Sequence, residues 1–193
     1  TEHRELADLL AFLYTVKRSC DEVVVLVDTR HEYPPSLQEY SDIVVVHRNF
    51  DDDFAKHKNF LGACCSKDYI FNIDADEMPT EKLIRLLETV HDIEALSIPR
   101  INIVPGYTDK WLREQNFAVN DVGWINWPDY QTRFYKKGTS WVGKVHEKIS
   151  TTPLGLAADP SIALLHIKSV KRQTSQNKYY DTLAPPYPHP TGA

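Results

Sequence analysis

Long apolar runs are missing from this sequence: the longest, Val23–Val27 and Ile43–Val46, are too short to span a bilayer. Cysteine is scarce. The three present, Cys20, Cys64 and Cys65, are odd in number and include a vicinal pair, a poor disulfide framework that fits a reducing compartment. Positive charge is not in excess either. Lys and Arg number 22 against 27 Asp and Glu, a formal net charge of −5, which argues against a generic nucleic-acid binder with a basic face. Thr1–Leu10 is charged from the outset, so no signal peptide is expected there. There is no internal repeat. These absences lead to the expectation of a soluble, cytoplasmic protein with no transmembrane segment and no nucleic-acid partner.

What is present is globular. With 193 residues, 42% hydrophobic and 25% charged, the chain is long and apolar enough to bury the core of one domain. Leu6, Leu9, Leu10, Leu13 and Val16 recur at helical spacing and predict a helix over roughly residues 4–18. Glu22–Asp28 and Ile43–His47 carry β-branched runs typical of strands buried on both faces, with Pro34 and Pro35 breaking the chain between them. A helix is expected after Asp51-Asp-Asp53, one aspartate capping it, and a third strand over Tyr69–Ile73. Pro79 and Thr80 are expected to open another helix, with Leu83, Ile84, Leu87 and Val90 on one face. From about residue 95 strands are expected over Leu96–Val104, Gln131–Tyr135, Trp141–Val145 and Ile162–Ile167, with little helix between them. The reading is a mixed α/β sheet: a parallel nucleotide-binding half (1–92), an antiparallel half (93–183), and a Pro-rich tail (184–193) that is extended.

In open α/β sheets ligands bind beyond the carboxyl ends of the strands. Asp28 ends the first strand, and Asp74-Ala-Asp76-Glu77 follows the third. Alternation along an extended chain would put Asp74 and Asp76 on one side, as hard oxygen ligands for a Mg²⁺ or Mn²⁺ carrying a diphosphate. The same acids also suit a capping cluster before the Pro79 helix. Further on, Arg133-Phe-Tyr-Lys-Lys and Trp141-Val-Gly-Lys-Val-His146-Glu147 form a basic strand and turn ending in a His-Glu pair, and Leu164-Leu-His166 precedes Lys168, Lys171 and Arg172. Together they offer carboxylates for a metal, a histidine, cations for a diphosphate, and a separate carboxylate able to take a proton. Each also has a plainer reading: His166 as a structural histidine, Glu147 paired at the surface with Lys144, and Lys136, Lys137, Lys171 and Arg172 as a solvated face. Cys64 and Cys65 are expected to fill space on a helix.

FNIDADE after a buried strand, preceded by FDDDFAKHKNFLGACCSKDY and followed in order by RFYKKGTSWVGKVHE and ALLHIKSVKRQTSQNKYY, resembles the family 2 glycosyltransferases of GT-A fold. The branch in view includes lipopolysaccharide-core glucosyl- and heptosyltransferase-like proteins, and the likeness covers about residues 5–180. It implies a metal-dependent inverting transfer from a nucleoside-diphosphate sugar, a UDP-sugar in the first instance, to a glycan, lipid-linked or protein acceptor. Under the resemblance Asp28 binds the base, and Lys58 beside Asn59 helps hold the nucleotide. Asp74 contacts ribose or metal, while Asp76 and His166 bind Mn²⁺ or Mg²⁺. Arg133 joins the nucleotide-sugar site, and Lys168 or Arg172 offsets leaving-group charge. Glu147 is the general base and His146 orients it or the sugar. Glu77 contacts donor or acceptor, or caps the next helix.

Two departures stand out. The family's first central strand has no counterpart in the sequence. It is expected to be supplied by residues ahead of Thr1, in preference to another segment filling its slot, because an empty slot leaves backbone groups unpaired. Asp28-Thr-Arg-His-Glu32 also lacks the usual Gly-Ser, which leaves the base open and makes Arg30 or His31 a candidate for a phosphate contact. The aromatic segment 105–130 would be acceptor wall or core. A nucleotidyltransferase, a nucleotide-sugar hydrolase and a non-catalytic GT-A domain that binds a glycan or partner are the competing readings.

Overall fold

In the computed structural model, which describes residues 2–15, 20–34, 37 and 40–183, helix α1 (Glu2–Thr15) leads into strand β1 (Val23–Asp28). Strand β2 (Ile43–Arg48) pairs parallel with it, Val23 opposite Ile43 and Asp28 opposite Arg48. Leu10, Val27 and Leu37 are the centre of a small core between them. Helix α2 (Phe54–Cys64) begins where Asp53, in extended conformation, accepts a hydrogen bond from the Lys56 amide. One aspartate of the run does cap it, as the sequence predicts.

A second, larger sheet is ordered β3 (Tyr69–Phe71), β6 (Ile125–Lys136), β5 (Ala95–Ile103), β10 (Leu164–Ile167) and β4 (Glu77–Pro79), with β9 (Leu154–Gly155) added on β5. A small hairpin joins β7 (Trp141–Val142) to β8 (Lys148–Ile149). β6 runs antiparallel to both β3 and β5, and β10 runs parallel to β5. β3, β5 and β10 therefore all point the same way; β5 and β10 end together at one edge, while β3 stops level with Leu96 near the start of β5. Along β5 and β10 alternate residues share a face. Ile98 and Leu164 lie fully buried beside Leu83 of helix α3 (Glu81–Leu87). The next residues on that face, Arg100, Asn102 and His166, are polar, so apolar burial anchors the strands and carries their polar ends to the edge.

The fold is mixed α/β, with parallel and antiparallel strands in one sheet. It departs from expectation at several points. The parallel half is not continuous: β1–β2 form a sheet of their own, and β3 pairs with β6 instead. The helix over 4–18 is placed at Glu2–Thr15, and residues 16–19 lie outside the described residues. β3 stops at Phe71. Pro79 does not open a helix but closes β4, and Thr80 caps α3 by accepting from the Leu83 amide. The strand from Trp141 ends at Val142 because Gly143 takes a left-handed conformation, φ 97°. Two helices interrupt the second half, α4 (Asp109–Gln115) and α5 (Val170–Leu183). α5 was hidden because it buries no residue fully and so has no strong apolar stripe. Pro35 and the tail 184–193 lie outside the described residues. Among those described, no helix is long and apolar enough to cross a membrane.

Candidate functional site

One chain of ion pairs and hydrogen bonds runs across the larger sheet, from the turn after β3 to the ends of β5 and β10. It starts at Asp74, whose carboxylate takes Arg133 Nη2 at 2.6 Å. The same Arg133 nitrogen reaches Glu77 at 2.6 Å, and Arg100 reaches the other side of the chain, 2.8 Å to Glu77 and 2.6 Å to Asp129. Asn102 donates to Asp129 at 2.8 Å and accepts at Oδ1 from His166 Nδ1, also 2.8 Å. His166 Nε2 lies 3.4 Å from Asp76 Oδ2. Lys168 Nζ and Arg172 Nη2 meet that same oxygen at 3.0 and 3.4 Å. Register explains the convergence: His166 is paired with Asn102 on one side and Glu77 on the other, and Arg100 with Asp129.

The hydrogen bonds assign the state of His166. Asn102 Nδ2 donates to two acceptors, Asp129 Oδ2 and the Ile125 carbonyl, so its Oδ1 must accept, and His166 Nδ1 carries a proton. Nε2 is left aimed at the Asp76 carboxylate, with both side chains at least nine-tenths buried. A neutral ring would set a lone pair against a carboxylate, so the gap suits a proton or a cation. Among the described residues no three His, Cys, Asp or Glu side chains meet as a ready-made metal cage. Asp76 and His166 are the two that could share an ion.

Alternation does not bring Asp74 and Asp76 together. The chain turns at Ala75 and Asp76, with the Glu77 amide bonded to the Asp74 carbonyl. Asp74 is left half exposed, 53% accessible, while Asp76 is 10%. Desolvation works against both charges, but Arg133 and Lys58 hold the Asp74 carboxyl below its ordinary value. His166 and Lys168 hold that of Asp76 far below.

Lys168, Arg172, Gln176 and Tyr180 are spaced by four and share a face of α5 and its approach. Lys168 Nζ donates to Gln176, and Gln176 to the Tyr180 hydroxyl. Burial pushes the Tyr180 phenol up to about 12, with the nearby Asp74, Glu147 and Asp76 charges adding to it. Tyr180 meets the rings of Phe54 and His146 edge-on. His146, in left-handed backbone (φ 53°) after Gly143, turns Glu147 inward, where its carboxylate pairs with Lys58 at 2.5 Å. Glu147 is 14% accessible and its partner is Lys58, not Lys144. Lys58 also lies 4.3 Å over the Trp141 ring.

Asp28 stands in a different set of contacts. Arg30 takes both its oxygens, and the Phe50 amide donates to one. Partial burial opposes the charge, yet Arg30 and Phe50 bring the carboxyl from 3.8 to about 2. A folded value below the unfolded one stabilises fully above about pH 4 and is lost as pH falls through 2. Discounted for screening at this half-open site, Asp28→Asn is expected to cost about 1 kcal/mol at pH 7. The cost should shrink toward pH 2, read as unfolding midpoints against pH, and a cost that does not change with pH would rule out the Arg30 pairing. The rings of Phe50, Phe54 and Tyr180 link this set to the Asp76 chain.

Sequence reasoning missed Arg100, Asn102, Asp129, Gln176 and Tyr180. A signal existed for two: Arg100 and Asn102 are polar residues at alternate positions in a strand that is otherwise apolar apart from Ser97. The aromatic segment divides. Trp111, Phe117 and Tyr107 pack in a core cluster with Val104, Leu112 and Ile125. Trp124 and Trp127 pair edge-to-face and stay half-buried. No protein-family model matches the chain, and no curated protein matches it.

Proposed function

We propose that this protein is a glycosyltransferase of GT-A fold. It would move a sugar from a nucleoside-diphosphate sugar, a UDP-sugar in the first instance, to an acceptor hydroxyl on a glycan, lipid or protein, with inversion. The observation that carries this reading is the meeting of Asp76, His166, Lys168 and Arg172 by the ends of the parallel strands β5 and β10, the position in which α/β sheets take ligands. A cytoplasmic setting belongs to the same reading.

Asp76 and His166 would hold the ion, since one carboxylate oxygen and one imidazole nitrogen suit Mn²⁺. When bound, such an ion neutralises charge on the departing diphosphate. Lys168 and Arg172 add positive charge on that side, and Asn102 fixes the His166 ring. Lys58 and Asp28 hold the nucleotide, and Arg133 keeps Asp74 in place. As the acceptor oxygen bonds to the anomeric carbon, the bond from that carbon to the diphosphate oxygen breaks and the hydroxyl proton passes to Glu147. His146 orients that carboxylate or the sugar.

Thermal unfolding with UDP, GDP, CDP or dTDP, each with and without Mn²⁺, tests the reading. A diphosphate at a hundred times its dissociation constant is expected to add about 2.7 kcal/mol. A shift that one nucleotide gives only with Mn²⁺ supports a donor site. No shift with any of them sinks it and leaves a non-catalytic domain as the better reading.

A further inference from the structure

Tyr180 takes no part in holding the diphosphate or in the proton transfer, yet its place is specific. Gln176 Oε1 accepts from Lys168 Nζ at 2.7 Å, which leaves the Gln176 amide nitrogen to donate to Tyr180 Oη at 2.6 Å. An ammonium only donates, so the direction of this line is fixed. The phenol oxygen is its acceptor, and among the described residues no group takes the phenol hydrogen. One ammonium and one amide separate the phenol from the Asp76 carboxylate. The Tyr180 ring meets those of His146 at 6.0 Å and Phe54 at 5.4 Å. His146 adjoins Glu147, and Phe54 opens the helix whose Lys58 holds Glu147. Tyr180 therefore stands between the end assigned to the leaving diphosphate and the carboxylate assigned to the acceptor hydroxyl.

In a transfer with inversion, what lies between leaving group and base is the sugar ring. The charges of Asp74, Glu147 and Asp76 all reach the phenol and, with burial, keep it protonated through the neutral range. Beside those carboxylates an anion is repelled, whereas a hydroxyl is served twice: it accepts from the phenol and donates to a carboxylate. Resting on the donor-site reading, we propose that Tyr180 binds the transferred sugar, its O–H donating to one ring hydroxyl, and so helps set which sugar the protein accepts. The phenol then discriminates at a single position of the sugar and is indifferent to the nucleotide.

The test is calorimetric binding of UDP-glucose, UDP-galactose, UDP-N-acetylglucosamine, GDP-mannose, CDP-glucose and dTDP-glucose, each beside its own nucleoside diphosphate, with and without Mn²⁺. Tyr180→Phe keeps the ring against Phe54 and His146 and removes only the hydroxyl. It is expected to weaken the nucleotide sugar that binds best by about three- to tenfold, the worth of one neutral hydrogen bond. The matching nucleoside diphosphate should bind as before. Gln176→Glu keeps the phenol but gives its hydrogen an acceptor inside the protein, and should weaken the sugar form relative to the diphosphate by a similar factor. Deoxy analogues of that donor then identify the hydroxyl: the one that lacks it should bind the unaltered protein and Tyr180→Phe alike. Equal weakening of diphosphate and nucleotide sugar in Tyr180→Phe, or no weakening of either, overturns the sugar contact while the donor site survives. An undiminished preference for the sugar form in Gln176→Glu overturns it as well. Failure of the unaltered protein to bind any of these nucleotide sugars overturns the donor-site reading and the contact with it.

Discussion

Glu77→Ala is expected to destabilise the fold by roughly 3–5 kcal/mol, the range seen when one partner of a buried ion pair is removed. Glu77 is 1% accessible, and its carboxylate joins Arg100 and Arg133 while accepting the Asp74 amide. Arg133 is almost as buried, and its Nε already has no hydrogen-bond partner. Without Glu77 it keeps one carboxylate, that of half-exposed Asp74, and Arg100 keeps Asp129. Two guanidinium groups would then share too little negative charge in a place that water reaches poorly. Glu77→Gln retains the shape and an acceptor oxygen, and should cost less. Urea unfolding of both variants measures the difference. A cost below about 1 kcal/mol for Glu77→Ala would mean that the arginines find other partners and that the chain from Asp74 to Asp76 does not depend on its middle.

On the proposed function, Glu147→Gln is expected to slow sugar transfer by about a hundred- to ten-thousandfold while leaving donor affinity nearly intact, as loss of a general base does. The amide keeps the size of the side chain and an oxygen for Lys58, so the turn set by Gly143 and His146 has no reason to move. What it loses is the capacity to accept a proton. Single-turnover rates with saturating donor separate this from weakened binding. Normal turnover in the variant would remove Glu147 from the reaction and leave Lys58–Glu147 as a structural pair.

The alternation of helix and strand through the first ninety residues was legible because apolar runs and capping residues are local signals. Asp53 capping α2 and Thr80 beginning α3 are cases of it. The polar chain at the sheet edge was only half legible. Asp74, Asp76, Arg133, His166, Lys168 and Arg172 stand out by type and spacing. What ties them is register, and the pairing of Arg100 with Asp129 or His166 with Asn102 joins residues far apart in sequence. Tyr180 escaped notice for another reason: α5 is held by hydrogen bonds and ion pairs such as Arg172–Glu5 and Tyr179–Asp52, so no apolar periodicity announces it. The turn at Ala75 and Asp76 defeated a rule that holds only for extended backbone.

The division of the sheet also bears on how the molecule opens. β1 and β2 share a ladder and a small core with α1, whereas β5 and β6 belong to the larger sheet, so the two parts need not lose their structure in one step. Amide hydrogens of Val23–Asp28 should exchange with solvent at a lower opening free energy than those of β5. Asp28 belongs to the first unit and Asp76 to the second. A molecule that touched both would splice the units together, and slowed exchange along β1, away from Asp76, would be its trace.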